Sequence, residues 1–225
     1  MRTRILKPEL LDLLAADDPR AMQSRRDLAR INAVMRQQAI MADALSRLPA
    51  PALLADLGGG DGIFLLGVAR RLAARWPGVK AVILDQKDIV TDQTRTAFEK
   101  LGWSCETRAG DIFDTLPRLD ADIVTANLFL HHFEDAALVR LLALVAVRAK
   151  AFVAAEPRRS RLALAASYLV GLLGANDVSR HDAVASVRAG FTGHDISMLW
   201  TQSGQWTLGE RAAFPFSHVF SCHAG

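Results

Sequence analysis

Cysteine is scarce: two residues in 225, Cys105 and Cys222, far apart and without metal-ligand spacing around either. No metal is expected on this count, and free thiols in a reducing compartment are. Aromatic residues make up only 7%, and the formal net charge is only +3, with basic residues scattered among acids. The basic pI near 9.2 therefore does not read as a nucleic-acid footprint. Long apolar runs are missing too. The longest, residues 162–173, is broken by Ser167 and Gly171, and spanning a bilayer takes roughly 20 residues. The N-terminal MRTRILKPELLDLL lacks the apolar core and small-residue cleavage site of a secretory signal. The expectation is a cytoplasmic protein with no nucleic-acid partner and no stable membrane insertion. No repeat, low-complexity tract or flexible linker interrupts the chain.

What is present is alternation. Residues 24–48 read as one long amphipathic helix on the spacing of Leu28, Ile31, Met35, Met41, Leu45 and Leu48, closed by Pro49 and Pro51. Strands follow at 52–57, 79–84, 104–109, 123–128 and 152–155, with helices at 62–76, 91–101 and 134–149. The last helix opens on Glu134 and Asp135 and closes on Arg148 and Lys150, as the helix dipole favours. Strands alternating with helices predict an α/β fold, a doubly wound, mostly parallel sheet covered on both faces. After Pro157 the rhythm changes. Residues 161–174 read as an apolar helix with core burial as its default, 176–190 as a polar stretch rich in His and Arg, and 193–200 as a further helix. Residues 206–214 and 217–223 read as a closing hairpin around Pro215. One domain results: an N-terminal helical cap (1–50), a core (51–157), a lid insertion after strand five (158–200) and a C-terminal hairpin (201–225).

Leu53 to Phe64, LLADLGGGDGIF, is the densest signal. In a parallel sheet, ligands bind beyond the carboxyl ends of the strands at the switch point. A glycine loop opening a helix there brings backbone amides close to a ligand. A dinucleotide fingerprint needs a third glycine where Ile63 stands, and a P-loop needs a terminal Gly-Lys-Ser/Thr that is absent. The spacing is Asp56-x-Gly58-x-Gly60-x-Gly62, with Gly59 between the central pair. The second strand ends in Asp85 and Gln86, where a carboxylate can accept both hydrogen bonds of a ribose diol. Gly110-Asp111-Ile112 follows the third strand, and Asn127-Leu128-Phe129-Leu130-His131-His132 the fourth.

Together, these four stations resemble the class I S-adenosylmethionine-dependent methyltransferases over roughly residues 51–157, and more loosely the quinone-biosynthesis and polyketide-tailoring enzymes among them. The resemblance implies S-adenosyl-L-methionine as cofactor. It places the methionine part and ribose on Gly58, Gly59 and Gly60, the ammonium near Asp56, and the adenine amino group at Asp111 with Ile112 against the ring. Asp85, Gln86, Gly110, Asn127 and Leu128 complete the expected cofactor set.

His131 and His132 are the candidate catalytic residues, because a histidine is the natural base near neutral pH and both lie just past strand four. The alternative is that they cap the following helix or pack on the cofactor. Adjacent residues point in different directions and no carboxylate spacing accompanies them, so no metal is expected. Arg158, His181 and Arg188 are the candidate acceptor contacts. The expected function is methyl transfer to an oxygen or carbon of an apolar aromatic or lipid-like small molecule. A protein or RNA methyltransferase and a non-catalytic cofactor-binding protein are the rivals, and a homodimer is left open.

Overall fold

In the computed structural model, residues 1, 3–15, 17–201 and 206–225 are described. The expected 201–225 hairpin and 1–50 cap therefore include positions (202–205, 2 and 16) outside the described residues.

Seven strands form one sheet: β1 (Leu53–Leu57), β2 (Lys80–Asp85), β3 (Ser104–Ala109), β4 (Ala121–Asn127), β5 (Ala149–Pro157), β6 (Trp206–Ala213) and β7 (Ser217–Ala224). The order is β3-β2-β1-β4-β5-β7-β6. β1 to β5 run parallel, and β7 pairs antiparallel with β5 and with β6. The strand order reverses between β1 and β4, so the crevice there opens at their carboxyl ends.

The helices are α1 (Leu10–Leu13), α2 (Pro19–Val34), α3 (Gln37–Leu45), α4 (Ile63–Leu72), α5 (Asp92–Glu99), α6 (Ile112–Thr115), α7 (Asp135–Arg148), α8 (Arg161–Ser167), α9 (Asp177–Ala189) and α10 (Asp195–Leu199). None of the described helices is long and apolar enough to cross a membrane. The central strands are buried on both faces, and the period-2 alternation of side chains sorts them into two cores. Leu54, Ile83, Ile123 and Val153 point toward α3, α4 and Trp76. Ala55, Leu57, Val82, Leu84 and Val124 point toward Leu138, Leu141 and Leu142 of α7.

Two expectations are corrected, and one stretch without an assigned element gains one. The helix expected at 24–48 starts earlier, behind an Asp18 cap and Pro19, and breaks at Arg36, which is left-handed at φ 58°. Its halves bury different chemistry. α2 turns Ser24, Asp27 and Asn32 inward, whereas α3 turns Met41, Ala42 and Leu45 onto the core. A single straight helix cannot aim both faces, so the left-handed residue redirects the chain.

The apolar run 161–174 does not bury its leucines. α8 faces inward through Ala163 and Ser167, with Val170 one turn on, while Leu162, Leu169, Leu172 and Leu173 are exposed. The polar stretch 176–190 is a helix, α9, capped by Asn176, whose side chain accepts from Ser179 N–H. Its buried positions include Val178, Asp182, Ala185 and Ala189, a helical stripe that Asp182 disguises in the sequence.

The N-terminal segment lies on α9. Asp182 accepts from the backbone N–H of Leu10 and Leu11, and Ile5 N–H donates to Arg188 O. Lys87, just past β2, donates to Leu14 O. This segment thus reaches across the carboxyl-terminal edge of the sheet.

Candidate active site

The glycine loop is shaped by steric demands on both sides. Gly58, Gly60 and Gly62 all have positive φ, a region L side chains rarely adopt. A Cβ on Gly58 would come within 2.2 Å of the Phe129 ring, and one on Gly59 within 2.8 Å of Asp56 Oδ2. A Cβ on Gly60 would meet nothing within 4 Å. Gly58, Gly59 and Gly62, whose Cβ would come within 2.7 Å of Ile83, therefore fit the loop against the protein, and Gly60 faces open space. Asp85 ties the loop to β2, with Oδ2 accepting from Gly60 N–H at 2.9 Å and Oδ1 from Lys87 N–H at 3.0 Å. Gln86 is exposed beside it.

Asp56 lies beneath the loop and is 1% exposed. Thr125 donates to its Oδ1 at 2.7 Å from the neighbouring strand. Burial pushes its carboxyl up to about 7, the Thr125 hydrogen bond opposes the rise, and the charge of Asp85 adds to it. An acid that titrates near 3.8 when unfolded and higher when folded stabilises the fold below that unfolded value. The contribution is lost as pH climbs through the folded value, at roughly 1.4 kcal/mol per pH unit. Asp56→Asn is expected to flatten that decline between about pH 4 and 7, and to raise stability at pH 8 by about 1 kcal/mol or more. Urea unfolding at pH 5 and pH 8 is the check; an unchanged pH slope would mean that Asp56 keeps its charge in the fold.

Two more strand ends converge here. After β3, Asp111 caps α6 by accepting from Phe113 N–H at 2.8 Å, and Ile112 is buried. A recess of about 400 Å³ borders Gly110 and Asp111. After β4, Asn127 Oδ1 is buried without a hydrogen-bond partner. Leu128 follows with φ 51°, a conformation that costs a non-glycine residue about 1–3 kcal/mol and that clusters at functional sites.

Past Leu128 the chain turns on one carboxylate. Glu156, fully buried on β5, accepts at Oε1 from Phe129 N–H (2.9 Å) and Leu130 N–H (2.8 Å). Its Oε2 lies 2.7 Å from His131 Nδ1. On the far side of the ring, Nε2 lies 3.2 Å from Glu9 Oε1, brought in by the N-terminal segment. Ser186 of α9 donates to the same Glu9 oxygen. Burial alone would lower the His131 pKa; the hydrogen bonds and charges of Glu156 and Glu9 outweigh it and raise it to about 9. Burial likewise disfavours charge on Glu9, but the His131 hydrogen bond and the nearby imidazoles hold its carboxyl down to about 2.

His132 is set differently. Its side chain is 27% exposed, Nδ1 lies 3.3 Å from Asp12 Oδ2, and Nε2 lies 4.0 Å from Glu9 Oε2. The two imidazoles sit side by side, 4.3 Å between centroids.

The sequence-predicted acceptor residues are not drawn to this centre by their hydrogen bonds. His181 Nδ1 lies 2.9 Å from Asp182, and Arg188 donates to the Tyr168 hydroxyl. Arg158 follows β5 in a bridge to Phe191. Its neighbour Arg159 is buried and donates to Gly190 O, Met1 O and Asp195. Sequence reasoning missed Glu9, Ser186, Thr125 and, as a site residue, Glu156. Only Glu156 had a signal, an acid at the end of a buried strand.

The chain compares with known proteins as follows. A sequence model of the O-methyltransferase domain matches residues 9–153, and the chain belongs to that family. Strychnine O-methyltransferase of Strychnos nux-vomica is 34% identical over 89 residues, 40% of this chain and 22% of the plant enzyme. Among solved structures, mitomycin 7-O-methyltransferase superposes with a TM-score of 0.63 at 18% identity, covering 96% of this chain and 60% of the other. Plantazolicin methyltransferase, solved with a monoazolic desmethylPZN analogue and SAH, gives a TM-score of 0.64 at 13% identity over 92% of this chain and 91% of the other. Both structural likenesses concern the fold. The chain thus matches well under two thirds of the plant relative's length and spans about three fifths of the mitomycin enzyme's.

Proposed function

We propose that this chain transfers a methyl group from S-adenosyl-L-methionine to an oxygen of a small aromatic molecule of natural-product type. The observation that carries the reading is the buried Glu156–His131 pair, set at the end of β4 beside a glycine loop with one open face. Family membership and the O-methyltransferase relatives support the oxygen acceptor over a carbon. The two unpaired cysteines support a cytoplasmic setting.

The residues present fit the cofactor. Gly60 has room where a side chain would stand, and Asn127 Oδ1 is a buried acceptor without a partner. Gly58, Gly59 and Gly60 would cradle the methionine and ribose, Asp85 and Gln86 the ribose diol, and Gly110, Asp111 and Ile112 the adenine, with Asp56, Asn127 and Leu128 behind them. When bound, the cofactor supplies an activated methyl group on a sulfonium. The protein aligns the acceptor and excludes water. Glu156 fixes the His131 ring by its Nδ1 and leaves Nε2 facing the N-terminal segment. With Glu9 displaced by an acceptor, the ring loses one of the two carboxylates that hold it protonated. Nε2 would then release its proton to solvent and, as a neutral imidazole, take the proton of the acceptor hydroxyl. Arg158, His181 and Arg188 are retained as acceptor contacts farther out.

The test is a titration and an assay. S-adenosylhomocysteine is expected to bind by calorimetry and NAD is not. Labelled methyl transfer to a panel of phenols is expected to yield an O-methyl product. Binding of NAD alone, or product on carbon or protein only, would overturn the reading. In the same titration Asp85→Ala is expected to lose more than about tenfold in affinity, since a hydrogen bond to a charged group is worth about 1.5–3 kcal/mol. An unchanged constant in the folded variant would place Asp85 outside the site.

A further inference from the structure

The sequence argues against a metal on the grounds that adjacent histidines diverge and lack a carboxylate. The fold supplies both missing elements. The His131 and His132 rings lie side by side, and Glu9 arrives from 122 residues away. One ligand atom from each of the three lies within 4.8 Å of the others. Around a tetrahedral ion with bonds near 2.1 Å, ligand atoms are about 3.4 Å apart. The His131 Nε2–Glu9 Oε1 distance of 3.2 Å is close to that spacing, and the second Glu9 oxygen, Oε2, lies 4.0 Å from His132 Nε2, so the one carboxylate faces both rings.

The outer groups match as well. A metal-binding histidine commonly turns its other nitrogen to a carboxylate, which fixes the ring and raises its basicity. Here each histidine does so, His131 Nδ1 to Glu156 Oε2 at 2.7 Å and His132 Nδ1 to Asp12 Oδ2 at 3.3 Å. Ser186 orients Glu9 from the opposite side. Three carboxylates thus surround two imidazoles, an excess of negative charge that a dication would balance. His131 closes the site from below, and the exposed edge of His132 leaves it open above.

We propose that Glu9, His131 and His132 form a two-histidine, one-carboxylate site for a divalent transition ion such as Zn(II) or Co(II), with a coordination position left for an oxygen ligand. Two imidazole nitrogens and one carboxylate suit these ions and not Mg(II) or Ca(II), which take all-oxygen sets. The site goes beyond the methyl-transfer reading and does not depend on it. An ion here occupies His131 Nε2, so it competes with proton transfer at that nitrogen.

The test is a titration of tag-free protein with cobalt(II) chloride, followed by visible absorption. Saturable ligand-field bands at one equivalent are expected, removed by Zn(II) and untouched by Mg(II). Glu9→Gln and His132→Ala, each verified as folded by circular dichroism, are expected to abolish the bands. Asp12→Asn, farther from the ion, is expected to weaken Co(II) binding by about 10-fold or more. Absent bands in wild type, displacement by Mg(II), or bands that persist in both folded ligand variants would overturn the assignment.

Discussion

Replacing Glu156 with alanine is expected to cost about 3–5 kcal/mol of stability, the usual range when one partner of a buried charged pair is removed. The carboxylate is fully buried and serves two backbone amides and the His131 ring. Alanine would leave those donors unpaired, with the His131 charge facing Glu9 alone. For a chain of this size the loss corresponds to a fall in Tm of roughly 10 °C. Glu156→Gln retains an oxygen for Phe129 and Leu130 while giving up the charge, so its loss is expected to be clearly smaller. Denaturant unfolding of both variants measures the difference. An alanine variant within about 1 kcal/mol of wild type would show that the turn after β4 does not depend on this residue.

The reach of the sequence is visible in the same residues. The alternation of strands and helices was legible because both faces of the sheet are covered, which leaves continuous apolar runs such as 81–84 between polar helix faces. The glycine loop was legible because its positive φ values admit few other residues. Glu156 stood in view at the end of a strand, but its partners lie across the sheet at Phe129 to His131, and nothing local announces them. Glu9 had no signal, because its place is set by Asp182 capping α1 and Ser186 meeting its carboxylate, both from α9. α9 was itself illegible as a helix facing the core, since its stripe includes Asp182. The leucines after Arg161 misled in the other direction. Hydrophobicity suggested burial, while the spacing of Ala163, Ser167 and Val170 decided which face turned inward.

His131→Asn separates orientation from proton transfer, and a large loss of turnover is expected from it. The asparagine amide can still donate to Glu156 in place of Nδ1, so the buried carboxylate keeps a partner, but it offers nothing at Nε2. If Nε2 takes the proton of the acceptor, kcat should fall by about 10²–10⁴. S-adenosylhomocysteine affinity should stay near wild type, since Asp85 and the glycine loop are untouched. The deficit should shrink toward pH 10, where a phenolic acceptor ionises without help. His132→Ala is expected to fall much less, because its ring sits at the rim with Nδ1 toward Asp12 and Nε2 4.0 Å from Glu9. Steady-state rates for both variants across pH, with one phenol at saturation, decide the matter. Near-normal turnover in a folded His131→Asn variant would remove the base from the mechanism and leave alignment and exclusion of water as what the protein supplies. A larger loss in His132→Ala than in His131→Asn would move the proton acceptor one residue along the chain, to the ring that Asp12 orients.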